Sequence, residues 1–264
     1  MKQAGVRAHL NTEVKKVLKN DTGFILQLAD GTKDMADKVI VATGGISYES
    51  TGSTGDGYRF AEEFGLKVTE CCPSLVPFNV REDWVKELQG LSLKNVSILI
   101  KDGKKKLFSD FGEMMFTHFG VTGPLILTAS SVCARKIREK EVKLYLDLKP
   151  ALTKEQLDAR ILREFDANAN KQFRNVLPSF LPSKLVSVMY ELCGIAPEKR
   201  IHDITKEERE RFLSCLKELE LTVTGLRGYN EAIITKGGVS VKEIDPSTME
   251  SKTVPGLYFI GEVL

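Results

Sequence analysis

No stretch of the 264 residues approaches the roughly 20 consecutive apolar residues that a membrane-spanning helix needs. The opening Met1-Lys2-Gln3-Ala4-Gly5 also lacks the apolar region of a signal peptide. Cysteine is sparse: five residues, an odd number with no Cys-x-x-Cys spacing, which argues against a disulfide framework and a zinc ribbon. Cys71 and Cys72 are adjacent, a poor geometry for a bridge or for joint metal ligation, and Cys133, Cys193 and Cys215 fall within apolar helical patterns as small core residues. A reducing, cytoplasmic setting and no metal site are expected. An excess of either charge is missing too, with 38 basic against 36 acidic side chains and a formal charge of +2. Such a balance gives no net field toward nucleic acid or an anionic membrane, and neither is expected as a partner. The one dense basic run, Lys101-Asp102-Gly103-Lys104-Lys105-Lys106, reads as a solvated hairpin tip around Asp-Gly.

At 42% hydrophobic residues the chain can bury a substantial core, as one large domain or two smaller ones. Residues 4–45 read as strands. Val6, Ala8 and Leu10 alternate with polar neighbours, and Phe24, Ile25, Leu26 and Leu28 precede the turn signal Asp30-Gly31. The run Val39-Ile40-Val41-Ala42 is continuously apolar, the pattern of a parallel strand covered on both faces. A short helix is expected around Tyr58, Ala61 and Phe64, capped by Thr54 or Asp56 and stopped by Gly65. From Val68 to Leu148 short strands dominate, among them the alternating Val142, Leu144, Leu146 and Leu148, with one helix opened by Pro124. Residues 151–219 are helical. Thr153 and Gln156 have capping-box spacing, Pro182 opens a second helix closed by Gly194, and a third runs from about Thr205 to Leu219. Strands resume at Leu221-Thr222-Val223-Thr224. This order, sheet, strand-rich insertion, helical insertion and return to sheet, fits an α/β domain interrupted by inserted modules.

Several stretches carry chemistry. The apolar strand at 39–42 ends in Thr43-Gly44-Gly45, where small residues let a bound group pack against main chain or merely permit a tight strand exit. The loop Gly52-Ser53-Thr54-Gly55-Asp56-Gly57 can form a nest of amides for an anion, or a capped turn in which Asp56 stabilises the following helix. It is neither a Walker loop nor Gly-x-Gly-x-x-Gly, and the latter fingerprint occurs nowhere in these residues. The stretch Phe116-Thr117-His118-Phe119-Gly120-Val121-Thr122-Gly123-Pro124 contains one of only three histidines, the side-chain type that exchanges protons near neutral pH. Toward the end come Thr235-Lys236-Gly237-Gly238-Val239-Ser240, then Thr248-Met249-Glu250-Ser251-Lys252, then Gly256-Leu257-Tyr258-Phe259-Ile260-Gly261-Glu262. No paired carboxylates, metal set or activated nucleophile dictates a reaction.

In this order the motifs resemble the BaiN/YhiN family of FAD-dependent oxidoreductases, some of whose members are called aminoacetone oxidase-like. The resemblance implies a partial parallel-sheet FAD-binding domain in two pieces, 1–70 and 237–264. Between them it implies a strand-rich, barrel-like domain at 71–150, a helical domain at 151–219, and return strands at 220–236. It implies flavin as redox carrier, a small organic substrate, and NAD(P)H or dioxygen as electron partner. Thr43, Gly44, Gly45, Gly261 and Glu262 are expected at the flavin, with Gly237 and Gly238 close by. Gly52, Ser53, Thr54, Gly55 and Asp56 are expected on the substrate side with Thr117, Thr122 and Gly123, and His118 is the catalytic candidate. Because the dinucleotide fingerprint and the acidic residue that follows Gly-Glu in the family are missing, the chain reads as an internal fragment that retains little or no FAD. Each missing charge-assisted bond to the pyrophosphate is worth about 1.5–3 kcal/mol. The alternative expectation is a substrate-binding or interaction module without redox activity in isolation. Unpaired sheet edges favour association, with no particular oligomer indicated.

Overall fold

Turn chemistry sets the first elements of the protein, whose structure, a computed structural model, describes residues 5–264. Met1–Ala4 of the opening read above lie outside the described residues. In chain order the strands and helices begin with β1 (Val14–Lys19), β2 (Phe24–Leu28), β3 (Lys33–Ala36), β4 (Val39–Val41) and α1 (Asp56–Glu63). There follow β5 (Cys72–Ser74), β6 (Phe78–Val80), β7 (Ser92–Asp102), β8 (Lys105–Phe116), β9 (Gly120–Thr122), α2 (Pro124–Glu139) and β10 (Val142–Asp147). The helical stretch holds α3 (Lys154–Ala167), α4 (Phe173–Val176), α5 (Ser183–Cys193) and α6 (Lys206–Lys217), before β11 (Leu219–Leu226), β12 (Ile234–Lys236) and β13 (Leu257–Phe259). The chain divides into two units, residues 1–72 with 234–264, and residues 73–233.

In the first unit, β1, β2 and β3 form an antiparallel meander. Its turns are closed by side chains: Asn20 Oδ1 accepts from the Gly23 N–H at 2.7 Å, and Asp30 Oδ1 from the Thr32 N–H at 2.9 Å, with Gly31 at φ 87°. Val6, Ala8 and Leu10 do not form the expected strand. Val6 is 53% and Leu10 83% exposed, so their alternation has no buried face to select it, and the first strand starts at Val14. β4 pairs in parallel with β13, Val41 opposite Phe259, and both residues are buried. The expectation that β4 is covered on both faces is corrected among the described residues, since Ile40 is 62% exposed. Helix α1 buries Tyr58, Phe60 and Ala61. Its N-cap is Gly55 at φ 82°, not Thr54 or Asp56.

The second unit is built on a closed six-stranded barrel, β10-β11-β6-β9-β8-β7. Period-two alternation fills it: Val96, Ile98 and Ile100 from β7, Val142, Leu144 and Leu146 from β10, and Leu219, Leu221 and Val223 from β11 are all buried. The expected short strands at 96–100 and 107–109 are parts of one long hairpin, β7–β8, whose bulges break the pattern on which a sequence reading relies. Helix α2 turns Leu125, Ile126, Ala129, Cys133 and Ile137 inward. The helical stretch shares the barrel's core, with Phe212 facing Phe173 and Phe180 edge-on at 5.5 and 5.6 Å and stacked on Phe165 at 6.4 Å. The expected capping box forms, and the structure adds a second. Thr153 and Gln156 exchange hydrogen bonds at the start of α3, Thr205 and Glu208 do so at α6, and Gly194 ends α5 in the left-handed region.

Candidate functional site

The parallel pair β4–β13 delivers two glycine-bearing ends side by side in the first unit. After β4 the chain runs Ala42-Thr43-Gly44-Gly45, and after β13 it runs Ile260-Gly261-Glu262. Gly44 and Gly261 have φ of 74° and 78°, which glycine adopts at no steric cost. Gly45 is needed for space: a Cβ there would lie 2.5 Å from Thr235 Oγ1 and 3.3 Å from Glu262 Oε1. Thr235 is the hub of this arrangement. Its buried hydroxyl accepts from the N–H groups of Ile46 and Ser47 at 2.9 and 3.1 Å and lies 3.0 Å from Ser47 Oγ. Its own N–H donates to Glu262 Oε1 at 2.6 Å. One Glu262 oxygen is thus spent on holding the backbone, while the residue as a whole is exposed.

Gly237 and Gly238 pack where no side chain fits. A Cβ on Gly237 would meet the Glu70 carbonyl oxygen at 2.3 Å, and one on Gly238 the Val263 carbonyl oxygen at 2.6 Å. Gly238 is clamped by Thr69, with the Thr69 N–H donating to the Gly238 carbonyl at 2.7 Å. Their role is to let 235–239 approach the ends of β4 and β13. Gly57 does the same for α1, since a Cβ there would meet Thr43 Oγ1 at 2.3 Å. The Thr43 hydroxyl is enclosed and has no hydrogen-bond partner among the described residues. The N–H groups of Gly44 and Gly45 likewise have no acceptor among them.

Of the 52–57 loop, Ser53 comes to Gly44, whose Cβ position lies 3.1 Å from Ser53 Oγ. Gly52 is open to solvent, and Gly55 packs on Ile46. The Asp56 carboxylate accepts from Arg59 at 2.7 Å and from Thr54 Oγ1 at 2.8 Å. Arg59 and then Thr54 hold it below the usual carboxylate range. A negative charge at the first turn of α1 suits the helix dipole, so this loop has the geometry of a stabilised helix start. A groove of about 320 Å³ runs from Val14 and Leu26 along Val39 and Val41 to Thr43 and Asp56.

Thr117, His118, Thr122 and Gly123 belong to the second unit, at the turn from β8 to β9 and the start of α2. Thr117 Oγ1 accepts from the Gly120 N–H at 3.1 Å, fixing that turn. His118 is exposed, its ring edge-on to Phe119 at 5.0 Å. The Arg227 guanidinium lies over the Phe119 ring at 4.3 Å and its Nε donates to Glu231 at 2.7 Å. Gly123 is required at φ 99°, where a Cβ would sit 2.9 Å from Met114 Cα, and Thr122 ends β9 beside Met115. The sequence reading missed Thr69 and Arg227, and it quoted Thr235 within a motif without giving it a role. Thr69 and Arg227 carry no local signal.

All five cysteines are free thiols, and burial pushes Cys133 and Cys193 up to about 11. Among the described residues no group of three or more His, Cys, Asp or Glu could hold a metal, and no helix is long and apolar enough to cross a membrane.

In chain order, a unit made of a closed barrel with packed helices interrupts a second unit that holds a glycine-lined parallel strand end. Residues 72–234 match the HI0933-like protein barrel and H2TH domain, and the chain belongs to the HI0933-like family of flavoprotein-type oxidoreductases. It is similar to the ribosomal RNA dihydrouridine synthase of Escherichia coli K12, 32% identical over 99% of this chain and 62% of that protein. A Haemophilus influenzae protein of the same name is 35% identical over 98% of this chain and 63% of its own length. The 3-dehydro-bile acid delta(4,6)-reductase of Clostridium scindens is 28% identical over 100% of this chain and 64% of that protein. The chain therefore spans less than two thirds of the length of these relatives.

Proposed function

We propose that this chain supplies the substrate-side unit and part of the flavin site of an FAD-dependent reductase that saturates a carbon–carbon double bond conjugated to a ring carbonyl. The observation that carries the reading is the pair of N–H groups at Gly44 and Gly45 that have no acceptor among the described residues, at the carboxyl end of a parallel strand beside Gly261-Glu262. These residues fit a flavin in kind: small side chains allow close approach to main chain, and such amides suit carbonyl or phosphate oxygens. Gly44, Gly45 and Gly261 would contact the cofactor, Thr43 would support it, and Thr235, Gly237, Gly238 and Glu262 would hold the cradle in shape.

The relatives' names support the reaction class. Forming dihydrouridine and reducing a delta(4,6) double bond of a 3-dehydro compound both add a hydride and a proton across a conjugated double bond. Flavin, when bound, supplies the hydride. The chain's residues must orient the acceptor, exclude water and deliver the proton to the carbon next to the carbonyl. His118 is assigned the proton, with the stacked pair of Phe119 and Arg227 beside it. NAD(P)H is the expected electron donor, with dioxygen a competing acceptor.

No Gly-x-Gly-x-x-Gly stands in these residues and the chain spans 62–64% of its relatives, so the grip on the FAD pyrophosphate is assigned to sequence beyond these residues. That same span favours a second reading, in which the chain by itself binds substrate without redox activity. The test is NAD(P)H-driven reduction by the full-length flavin-loaded protein, offered uridine-containing RNA and a 3-oxo-4,6-diene steroid. A mass gain of two hydrogens in either substrate is expected. NAD(P)H consumption that yields only peroxide would sink the reductase reading.

A further inference from the structure

The run Lys101–Lys106 looks inert in sequence, but the fold does not leave it alone. The β7–β8 hairpin, turned at Gly103-Lys104, stands beside the second half of α2. Asp102 pairs with Lys140 at 2.7 Å and Lys136 at 3.9 Å, tying hairpin to helix. A groove of about 560 Å³ lies between them, lined by Asp102, Lys105, Leu107, Val132, Arg135, Lys136 and Glu139. Residues 101–106 hold four lysines against one aspartate, and 135–140 hold four basic side chains against one glutamate. These two segments carry a net charge of +6 while the chain totals +2, so the remaining residues are net acidic. The patch is a local concentration of charge, which an overall balance conceals.

Its acids are already used. Asp102 is held by Lys136 and Lys140, Glu139 by Lys136 at 2.7 Å and Arg135 at 3.5 Å, and Glu141 by Arg81. Lys104, Lys105 and Lys106 are exposed and form no ion pair among the described residues, and the Arg135 side chain is 94% exposed. Like charges held this close repel one another, and a polyanion would relieve that repulsion. Val132, 58% exposed, is the patch's only exposed large apolar side chain among the described residues. A membrane-docking face adds apolar insertion, and a protein interface has an aromatic-rich centre, whereas nucleic-acid interfaces are dominated by positive charge.

We infer that the face formed by the β7–β8 hairpin and the second half of α2 is a docking surface for the phosphate backbone of RNA. The assignment of RNA rests on the reading above, taken in the form in which the reducible ring is a uridine. It departs from the expectation of no nucleic-acid partner drawn from net charge.

The test is fluorescence anisotropy of the whole chain, without flavin, on a labelled single-stranded uridine-containing RNA over a range of salt concentrations. Two variants are compared with the unaltered chain, the triple Lys104→Ala, Lys105→Ala, Lys106→Ala and the single Arg135→Gln, with circular dichroism to verify folding. Three lost phosphate contacts should reduce the slope of log affinity against log salt by about 2, and affinity at ~0.1 M salt by roughly tenfold or more. Arg135→Gln should reduce the slope by about 0.7. Unchanged slopes in both variants, or equal binding to anionic vesicles or polyglutamate, would overturn the inference. Lysine-dependent RNA binding without reduction of any conjugated double bond would leave the surface standing and remove the redox reading. Reduction with RNA binding indifferent to these side chains would do the reverse.

Discussion

The two units solve the problem of sheet edges differently. In the barrel unit every strand of the six has two neighbours, so no ladder is left open, and one continuous core runs from the barrel into the helices. In the other unit the parallel sheet has two strands among the described residues, Ile40 faces outward at 62% exposure, and backbone donors at Gly44 and Gly45 have no acceptor. A two-stranded sheet is marginal in water, and parallel strands are ordinarily covered on both faces. The difference supports the proposal made above, in which a self-sufficient unit would present a substrate surface and a cradle would gain stability from what binds it.

The sharpest way to break this comparison is to delete the same side chain from both. Ile100→Ala, at a fully buried barrel position, should cost about 2–5 kcal/mol, whereas Ile40→Ala should fall within about 0.5 kcal/mol, both by urea denaturation. Similar losses would mean that β4 is buried in solution. Next, Thr235→Val removes the acceptor shared by Ile46 and Ser47 and should cost about 1–3 kcal/mol, while Thr235→Ser should stay near the unaltered chain. Equal effects of the two would deny the hydroxyl its role as hub. Thr205→Ala removes one capping box from the barrel unit and should cost about 1 kcal/mol in thermal unfolding.

The smallest effect concerns pH. The folded-state Asp56 carboxyl titrates below its unfolded value because Arg59 and Thr54 hydrogen-bond to the ionised form. Its contribution to stability is therefore present above the unfolded value, about 3.9, and is lost as pH falls through the lower folded value. Asp56→Asn should flatten the acid limb of stability below about pH 4 and leave the rest of the profile parallel to that of the unaltered chain. A profile unchanged below that pH would show that the ion pair at the start of α1 does not form in solution.

How much of this was legible depended on how far each determinant reached along the chain. The capping box at Thr153, the stop at Gly194 and the hairpin at Asp102-Gly103 are local, and they were readable from spacing. Alternation found β10 but produced a false strand at Val6–Leu10, because period two alone does not say whether a partner exists. Bulges in β7–β8 concealed the barrel's longest hairpin. At the site, glycines announced close packing, yet sequence could not say against what. Gly45 meets Thr235, some 190 residues away, and Gly237 meets Glu70. Net charge hid the basic face, because the hairpin and the end of α2 come together only in the fold.

Native-state hydrogen exchange by mass spectrometry, read separately over the two units without added flavin, tests the central claim most directly. The account predicts that peptides covering 92–116 and 142–147 are the best protected, while those covering 39–47 and 257–264 exchange first, since the barrel ladders are closed and the parallel pair is open. Equal protection across both regions would contradict it, because the β4–β13 end would then be a finished structure and not a cradle awaiting its ligand.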